Sequence, residues 1–185
     1  SKLKSMEFSG KVKFEESVLI GNTTYTMAAG GLHSEHEPTI LASTGLSKIW
    51  DWDWGSYYPN LMLNLQLYPK HLGKVFLDLL RTIVNQRLNA KANGMMVESD
   101  TLKIVVNAAY GLLKFEHGWF YDPQALYSVT LNGQLFLFML IEDFEANGIP
   151  VVYANTDGWM CNCPVEKLDL MKQLAKKWET FFNIP

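Results

Sequence analysis

Ser47-Lys48-Ile49-Trp50-Asp51-Trp52-Asp53-Trp54-Gly55-Ser56-Tyr57-Tyr58-Pro59 is the stretch on which the reading of this chain turns. Residues 47–53 are rich in aromatic and β-prone side chains and predict a strand. A strand's period of two then places Asp51 and Asp53 on one face. Gly55 and Pro59 interrupt it, and a helix is expected over 60–67. Further on, Tyr153-Ala154-Asn155-Thr156-Asp157-Gly158 shows the same arrangement. Val151–Ala154 predicts a buried strand, Asp157-Gly158 a turn, and Trp159–Cys163 the returning partner. Each stretch leaves a carboxylate at the rim of a sheet, and adjacent strands would bring Asp53 and Asp157 together.

An acid at a strand end is more often a turn former or a solvated cap than a ligand. Two hard oxygen ligands at one point do suit Mg²⁺, which keeps waters and takes its other ligands from phosphates. Two such ions about 3.5–4 Å apart can activate a hydroxyl and stabilise a leaving oxygen. What lies between the aspartates gives the pair weight. Gly73–Ala92 predicts a helix with Phe76, Leu79, Leu80 and Ile83 as its apolar stripe, stopped by Asn93-Gly94. Ser99 or Asp100 caps a second helix, Thr101–Leu113, antiparallel to the first. Arg87 and Lys91 stand at i and i+4, so they share a face. Lys103, Asn107 and Tyr110, at i, i+4 and i+7, share another. A cation, an amide and an aromatic in a row can meet a triphosphate, a sugar and a base. A solvated helix face is the commoner fate of such residues.

Outward from these elements, Val18–Ile20 and Thr24–Met27 flank Gly21-Asn22 as a hairpin, followed by Gly30-Gly31 and a polar stretch through Pro38. Pro123 opens a third helix to Ala146 that Asn147-Gly148 ends. Pro164 starts an amphipathic helix over Val165–Phe182. Strands interrupted by a long helical insert define an α+β fold with an antiparallel sheet.

The 185 residues, 48% apolar and 13% aromatic, describe a packed globular chain. The longest purely apolar run, Leu135–Ile141, falls far short of the roughly 20 residues of a membrane helix, so no membrane partner is expected. Cys161 and Cys163 are too close for an ordinary disulfide or a zinc knuckle; free thiols point to the cytosol. The net charge of −3 argues against a generally nucleic-acid-binding surface. Residues 70–114 nevertheless hold seven Lys/Arg against three acids, +4, which leaves −7 elsewhere. A basic helical insert on an acidic base suits phosphates in one place and metal ions in another.

At this point the chain resembles a family B DNA polymerase. Asp53-Trp54-Gly55-Ser56-Tyr57-Tyr58-Pro59 is similar to motif A, D-x-x-S-L-Y-P. Lys103-Ile104-Val105-Val106-Asn107-Ala108-Ala109-Tyr110-Gly111 is similar to motif B, K-x-x-x-N-S-x-Y-G. Tyr153-Ala154-Asn155-Thr156-Asp157-Gly158 is similar to motif C, Y-G-D-T-D-S, and Arg87-Leu88-Asn89-Ala90-Lys91 matches R-x-x-x-K of the preceding fingers helix. Each motif alone is weak; four in the family's order, over residue 47 to the end, are strong.

The resemblance implies a polymerase palm with an antiparallel sheet packed on helices, plus a helical-hairpin fingers insert. Residues 1–66 would be palm with motif A, 67–114 fingers with motif B, and 115–185 palm with motif C, with exonuclease and thumb absent. It implies nucleotidyl transfer from a dNTP to a primer 3′-hydroxyl on primer-template DNA, with two Mg²⁺ ions, or Mn²⁺ in their place. Asp53 and Asp157 would bind metal, helped by the carbonyl of Trp54. Ser56 and Tyr57 would line the triphosphate through backbone amides, and Tyr58 would be the steric gate against a ribose 2′-hydroxyl. Arg87, Lys91 and Lys103 would grip the triphosphate, with Lys103 also the acid for the leaving pyrophosphate. Asn107 and Tyr110 would border the nascent base pair. A phage- or prophage-encoded protein in the cytoplasm of a bacterial host is the expected source.

The chain departs from the pattern at Asn155, where motif C has its first Asp, at Tyr57 in place of Leu, and at Gly158 in place of Ser. Asp51 adds an acid near Asp53. Tyr25–Gly31 loosely resembles the Tyr/Gly-rich template-contacting motif of protein-primed members, or is a glycine turn with His33 on the surface. Asn155, and a chain that stops at Pro185, also suit a truncated or degenerate fragment that is inactive alone and binds nucleic acid at most. An unrelated two-metal phosphohydrolase is the third reading, but it has no need of the two cationic helix faces.

Overall fold

Alternation of side chains builds a sheet with one wet and one dry face. The computed structural model describes residues 14–37 and 39–184. Six strands, β1 (Glu15–Ile20), β2 (Thr23–Ala28), β3 (Gly31–Glu35), β4 (Ser47–Asp53), β5 (Val151–Asn155) and β6 (Gly158–Pro164), form one sheet in the order β1-β2-β3-β5-β6-β4. Every neighbouring pair is antiparallel. Along β6, Trp159, Cys161 and Cys163 are buried while Gly158, Met160 and Asn162 are not, as period two requires. Opposite them on β4, Trp52 pairs with Trp159 and Trp50 with Cys161 on the dry face, and Asp53 with Gly158 and Asp51 with Met160 on the wet one.

The chain divides into two compact units, one of them Lys13–Gly55 with Thr130–Pro185, which holds the whole sheet, and the other, in its described part, Ser56–Val129. Two helices complete the first unit, α5 (Leu168–Phe182) and the later part of α4 (Pro123–Ala146). Leu137, Leu140, Ile141 and Phe144 of α4 are fully buried, and Met171, Leu174, Ala175, Trp178 and Phe182 line the buried stripe of α5. Aromatic rings fill the space over the sheet. Trp52 stacks on Trp159 at 6.0 Å, Trp54 lies 5.1 Å from Trp159, and Phe144 meets Trp159 edge-on. Tyr25 is wholly buried and satisfied, its hydroxyl donating to the Val151 carbonyl at 2.9 Å. Burial raises its pKa.

The second unit carries α1 (Tyr57–Asn64), α2 (Val75–Ala92), α3 (Met96–Gly111) and the start of α4. The helices α2 and α3 form a hairpin through residues 93–95, where Gly94 takes φ 72°. Asp122 caps α4, its Oδ1 accepting from the Ala125 amide at 2.8 Å, with Pro123 in the first helical position, where it loses no hydrogen bond. By length and composition α4 could cross a membrane, but half of its most apolar window is buried in this fold.

The structure corrects several expectations. The polar stretch after Gly30 contains β3, which pairs β2 along its whole length. The first helix after β4 starts at Tyr57, not residue 60, because a proline in the first turn has no intrahelical bond to forfeit. On α2 the buried positions are Phe76, Leu77, Leu80, Val84 and Ala90, and Leu79 is exposed. The helix α3 starts at Met96 with no capping side chain, and Ser99 is buried inside it. The β5–β6 turn falls on Thr156-Asp157, and Gly158 already belongs to the strand.

Candidate active site

Register brings the two motif aspartates to one end of the sheet. Asp53 ends β4 directly opposite Gly158, the first residue of β6, and Asp157 precedes Gly158 in the turn. The Trp54 amide donates to the Asp157 carbonyl at 3.0 Å and ties the end of β4 to that turn. Asp53 is exposed and Asp157 half-buried. The Asp53 carboxylate leans across Gly158: a Cβ there would lie 3.4 Å from Asp53 Oδ1 and 3.1 Å from the Trp52 carbonyl oxygen. Gly158 has no positive φ, so what it supplies at this point is room.

The turn carrying Asp157 is strained and held from several sides. Thr156 sits at φ 60°, a conformation a β-branched residue rarely adopts. Its amide donates to the Leu32 carbonyl of β3 at 2.8 Å, and the Asp157 amide to the Asn155 carbonyl at 2.7 Å. The Thr156 hydroxyl donates to Asn155 Oδ1 at 2.9 Å, and Asn155 Nδ2 donates to Tyr153 Oη at 3.1 Å. Tyr153 in turn meets the His36 ring at 5.6 Å.

The donor set fits a hard cation that keeps part of its water. Among the described residues no three His, Cys, Asp or Glu side chains gather into a closed cage. Mg²⁺ does not need one, since one or two carboxylates plus substrate phosphates suffice. Asp53 and Asp157 are the two carboxylates that the register and the turn bring to this end of the sheet. Asp51 is exposed on the same face, two residues further from the turn, opposite Met160.

The remaining motif residues lie in the helical unit. Ser56 occupies the N-cap of α1 at φ 51°, ψ 49°, and its carbonyl accepts from the Asn60 amide at 3.0 Å. Its hydroxyl accepts from Arg87 Nη1 on α2. Arg87 Nε is buried with no hydrogen-bond partner among the described residues. A helix start with its partial positive charge, next to a guanidinium, is a setting for an anion. Lys91, one turn beyond Arg87, is exposed, as are Lys103 and Asn107 on α3. Tyr58 stacks on Tyr110 of α3, with centroids 4.2 Å apart and planes at 25°, and Tyr57 is buried beside Tyr58 at 5.6 Å. The helical unit thus joins Ser56 to Arg87 and Tyr58 to Tyr110, and the sheet unit joins Asp53 to Asp157.

Sequence reasoning missed three participants. The Ser56–Arg87 bond spans 31 residues and leaves no local pattern. The space that Asp53 uses over Gly158 exists only once β4 and β6 are in register. The side-chain chain from Tyr153 through Asn155 to Thr156 had one signal, the amide where the motif carries an acid.

No family model matches the chain. Among curated proteins it is 32% identical over 101 residues to DNA polymerase II of Escherichia coli, a match covering 48% of this chain and 13% of that protein. It is 28% identical over 82 residues to DNA polymerase 1 of Pyrococcus abyssi, covering 44% and 11%. It is 30% identical over 83 residues to a DNA polymerase of Thermococcus sp., covering 44% and 11%. The matches thus span about an eighth or less of the length of these relatives.

Proposed function

We propose that this chain, which resembles a fragment of a family B DNA polymerase, carries the nucleotidyl-transfer centre of a DNA-directed DNA polymerase. The sheet unit would be palm and the helical hairpin within residues 67–114 fingers. The phage origin and cytoplasmic setting belong to the same proposal. The observation that carries it is the register that sets Asp53 opposite Gly158 and next to Asp157.

In this reading Asp53, Asp157 and the Trp54 carbonyl would hold Mg²⁺ or Mn²⁺. Bound there, the ions would favour ionisation of the primer 3′-hydroxyl and offset charge on the leaving oxygen. The chain's own groups do the rest by position and charge. The amides at the start of α1 and the guanidinium of Arg87 receive the triphosphate, and binding draws Arg87 off the Ser56 hydroxyl. Lys91 and Lys103 add charge, and Lys103 can pass a proton to the departing pyrophosphate. The Tyr58 ring, backed by Tyr110, fills the place of a 2′-hydroxyl. Asn107 and the edge of Tyr110 border the new base pair.

A second reading has its own support in Asn155, where motif C has an acid: a module that binds metal, nucleotide or DNA without turnover. Primer extension with Mg²⁺ and with Mn²⁺, beside direct Mn²⁺ binding, separates the two. Extension that disappears in Asp157→Ala supports the polymerase. Metal binding that disappears in Asp157→Ala, with no extension by the unmodified chain, supports the module. Equal metal binding and equal extension by both proteins would remove Asp157 from either role.

A further inference from the structure

We propose that Asn155 is a positioning residue, whose side-chain amide clamps the strained turn between Tyr153 and Thr156 and so holds Asp157 at the end of the sheet. The inference rests on the reading of Asp53 and Asp157 as the metal-binding pair.

Thr156 holds φ 60°, a conformation that is costly for a β-branched residue and persists only where surrounding bonds over-determine it. On the backbone, the Thr156 amide is tied to Leu32 and the Asp157 amide to Asn155. Those bonds fix the path of the chain. What fixes the Thr156 side chain is the Asn155 amide, which accepts from the Thr156 hydroxyl at 2.9 Å and donates to Tyr153 Oη at 3.1 Å. The other end of the clamp is anchored too, since Tyr153 lies against the His36 ring at 5.6 Å. His33 on β3 pairs Asn155 across the strands.

An amide suits this post. One end gives and the other receives, so both neighbours are bonded without a third negative charge beside Asp53 and Asp157. A carboxylate of the same shape could accept from both hydroxyls and would keep the clamp while adding charge. An alanine would release both neighbours. These three side chains therefore separate the effect of the clamp from the effect of the charge.

The test is Mn²⁺ titration of the chain, read by quenching of the tryptophans around Trp54 and Trp159, with hydrogen exchange at the Thr156 and Asp157 amides. Asn155→Ala is expected to bind Mn²⁺ about five- to tenfold more weakly, because it loses both side-chain hydrogen bonds of the clamp, each of modest net worth, and to exchange those amides faster. Asn155→Asp is expected to bind at least as tightly as the unmodified chain and to retain amide protection. Tyr153→Phe, which removes only the far anchor, is expected to fall between the two. Should Asn155→Ala fail to fold, Tyr153→Phe decides: weaker binding supports the clamp, unchanged binding overturns it. Unchanged binding in Asn155→Ala, or an Asn155→Asp variant as weak as Asn155→Ala, also overturns it. Asp157→Ala is the reference. If it binds Mn²⁺ as well as the unmodified chain, the metal-site reading falls; if it alone loses binding, that reading stands and the clamp is refuted.

Discussion

Replacing Gly158 by alanine tests how closely β4 and β6 meet at the two aspartates. The backbone of Gly158 lies outside the positive-φ region, so alanine introduces no dihedral strain. The new methyl would stand 3.1 Å from the Trp52 carbonyl oxygen and 3.4 Å from Asp53 Oδ1. The first contact is tight enough that a neighbour must give by a few tenths of an ångström, and the Asp53 carboxylate lies next to the one that gives. Overpacking of this kind costs about 1–3 kcal/mol, of which about 0.4–1 kcal/mol is recovered because alanine restricts the unfolded chain, so a net loss of about 1.3 kcal/mol is expected from the middle of both ranges. A carboxylate displaced by a few tenths of an ångström is expected to weaken metal binding a few-fold, because the cation demands a fixed ligand geometry. Mg²⁺, which demands near-ideal geometry, should suffer more than a more tolerant cation. Urea unfolding measures the first quantity and parallel Mg²⁺ and Mn²⁺ titrations the second. A Gly158→Ala protein with the stability and both metal affinities of the unmodified chain would refute the claim that Asp53 depends on this space.

Two further outcomes are expected. Tyr110→Ala removes a stacked ring worth about 0.5–1.5 kcal/mol to Tyr58; binding of ribonucleotides relative to deoxynucleotides should rise, with Tyr110→Phe near the unmodified chain, and a ratio unchanged in both variants would detach Tyr110 from sugar selection. Burial pushes the Cys161 thiol from about 9 up to about 12. Its folded pKa is thus above its unfolded one, so its contribution to stability is full below about pH 9 and is lost as pH rises toward about 12. Urea midpoints at several alkaline pH values should fall less steeply in Cys161→Ala, though not level off, because Cys163 and Tyr25 are shifted in the same direction.

Local chemistry alone wrote much of this protein. The alternation in Ser47–Asp53 gave a strand with the observed limits, and Pro123 and Asn147-Gly148 bracketed α4 where it begins and ends. The Gly21-Asn22 hairpin, the final amphipathic helix and the order of the four motifs were legible for the same reason: each depends on residues a few positions apart. The tertiary structure decided what depended on partners distant in sequence. Gly31–Glu35 offers little apolar surface of its own and is a strand because β2 and β5 lie on either side to take its hydrogen bonds. On α2, Leu77 rather than Leu79 is buried, because a helix with two comparable apolar arcs turns toward whichever one its neighbours cover. The positive φ fell on Thr156 instead of Gly158, since Leu32 and Asn155 hold the turn one residue earlier. The sequence could name Asp53 and Asp157, but only the register of β4 on β6 sets them side by side, because strand pairing is a long-range choice that no local pattern encodes.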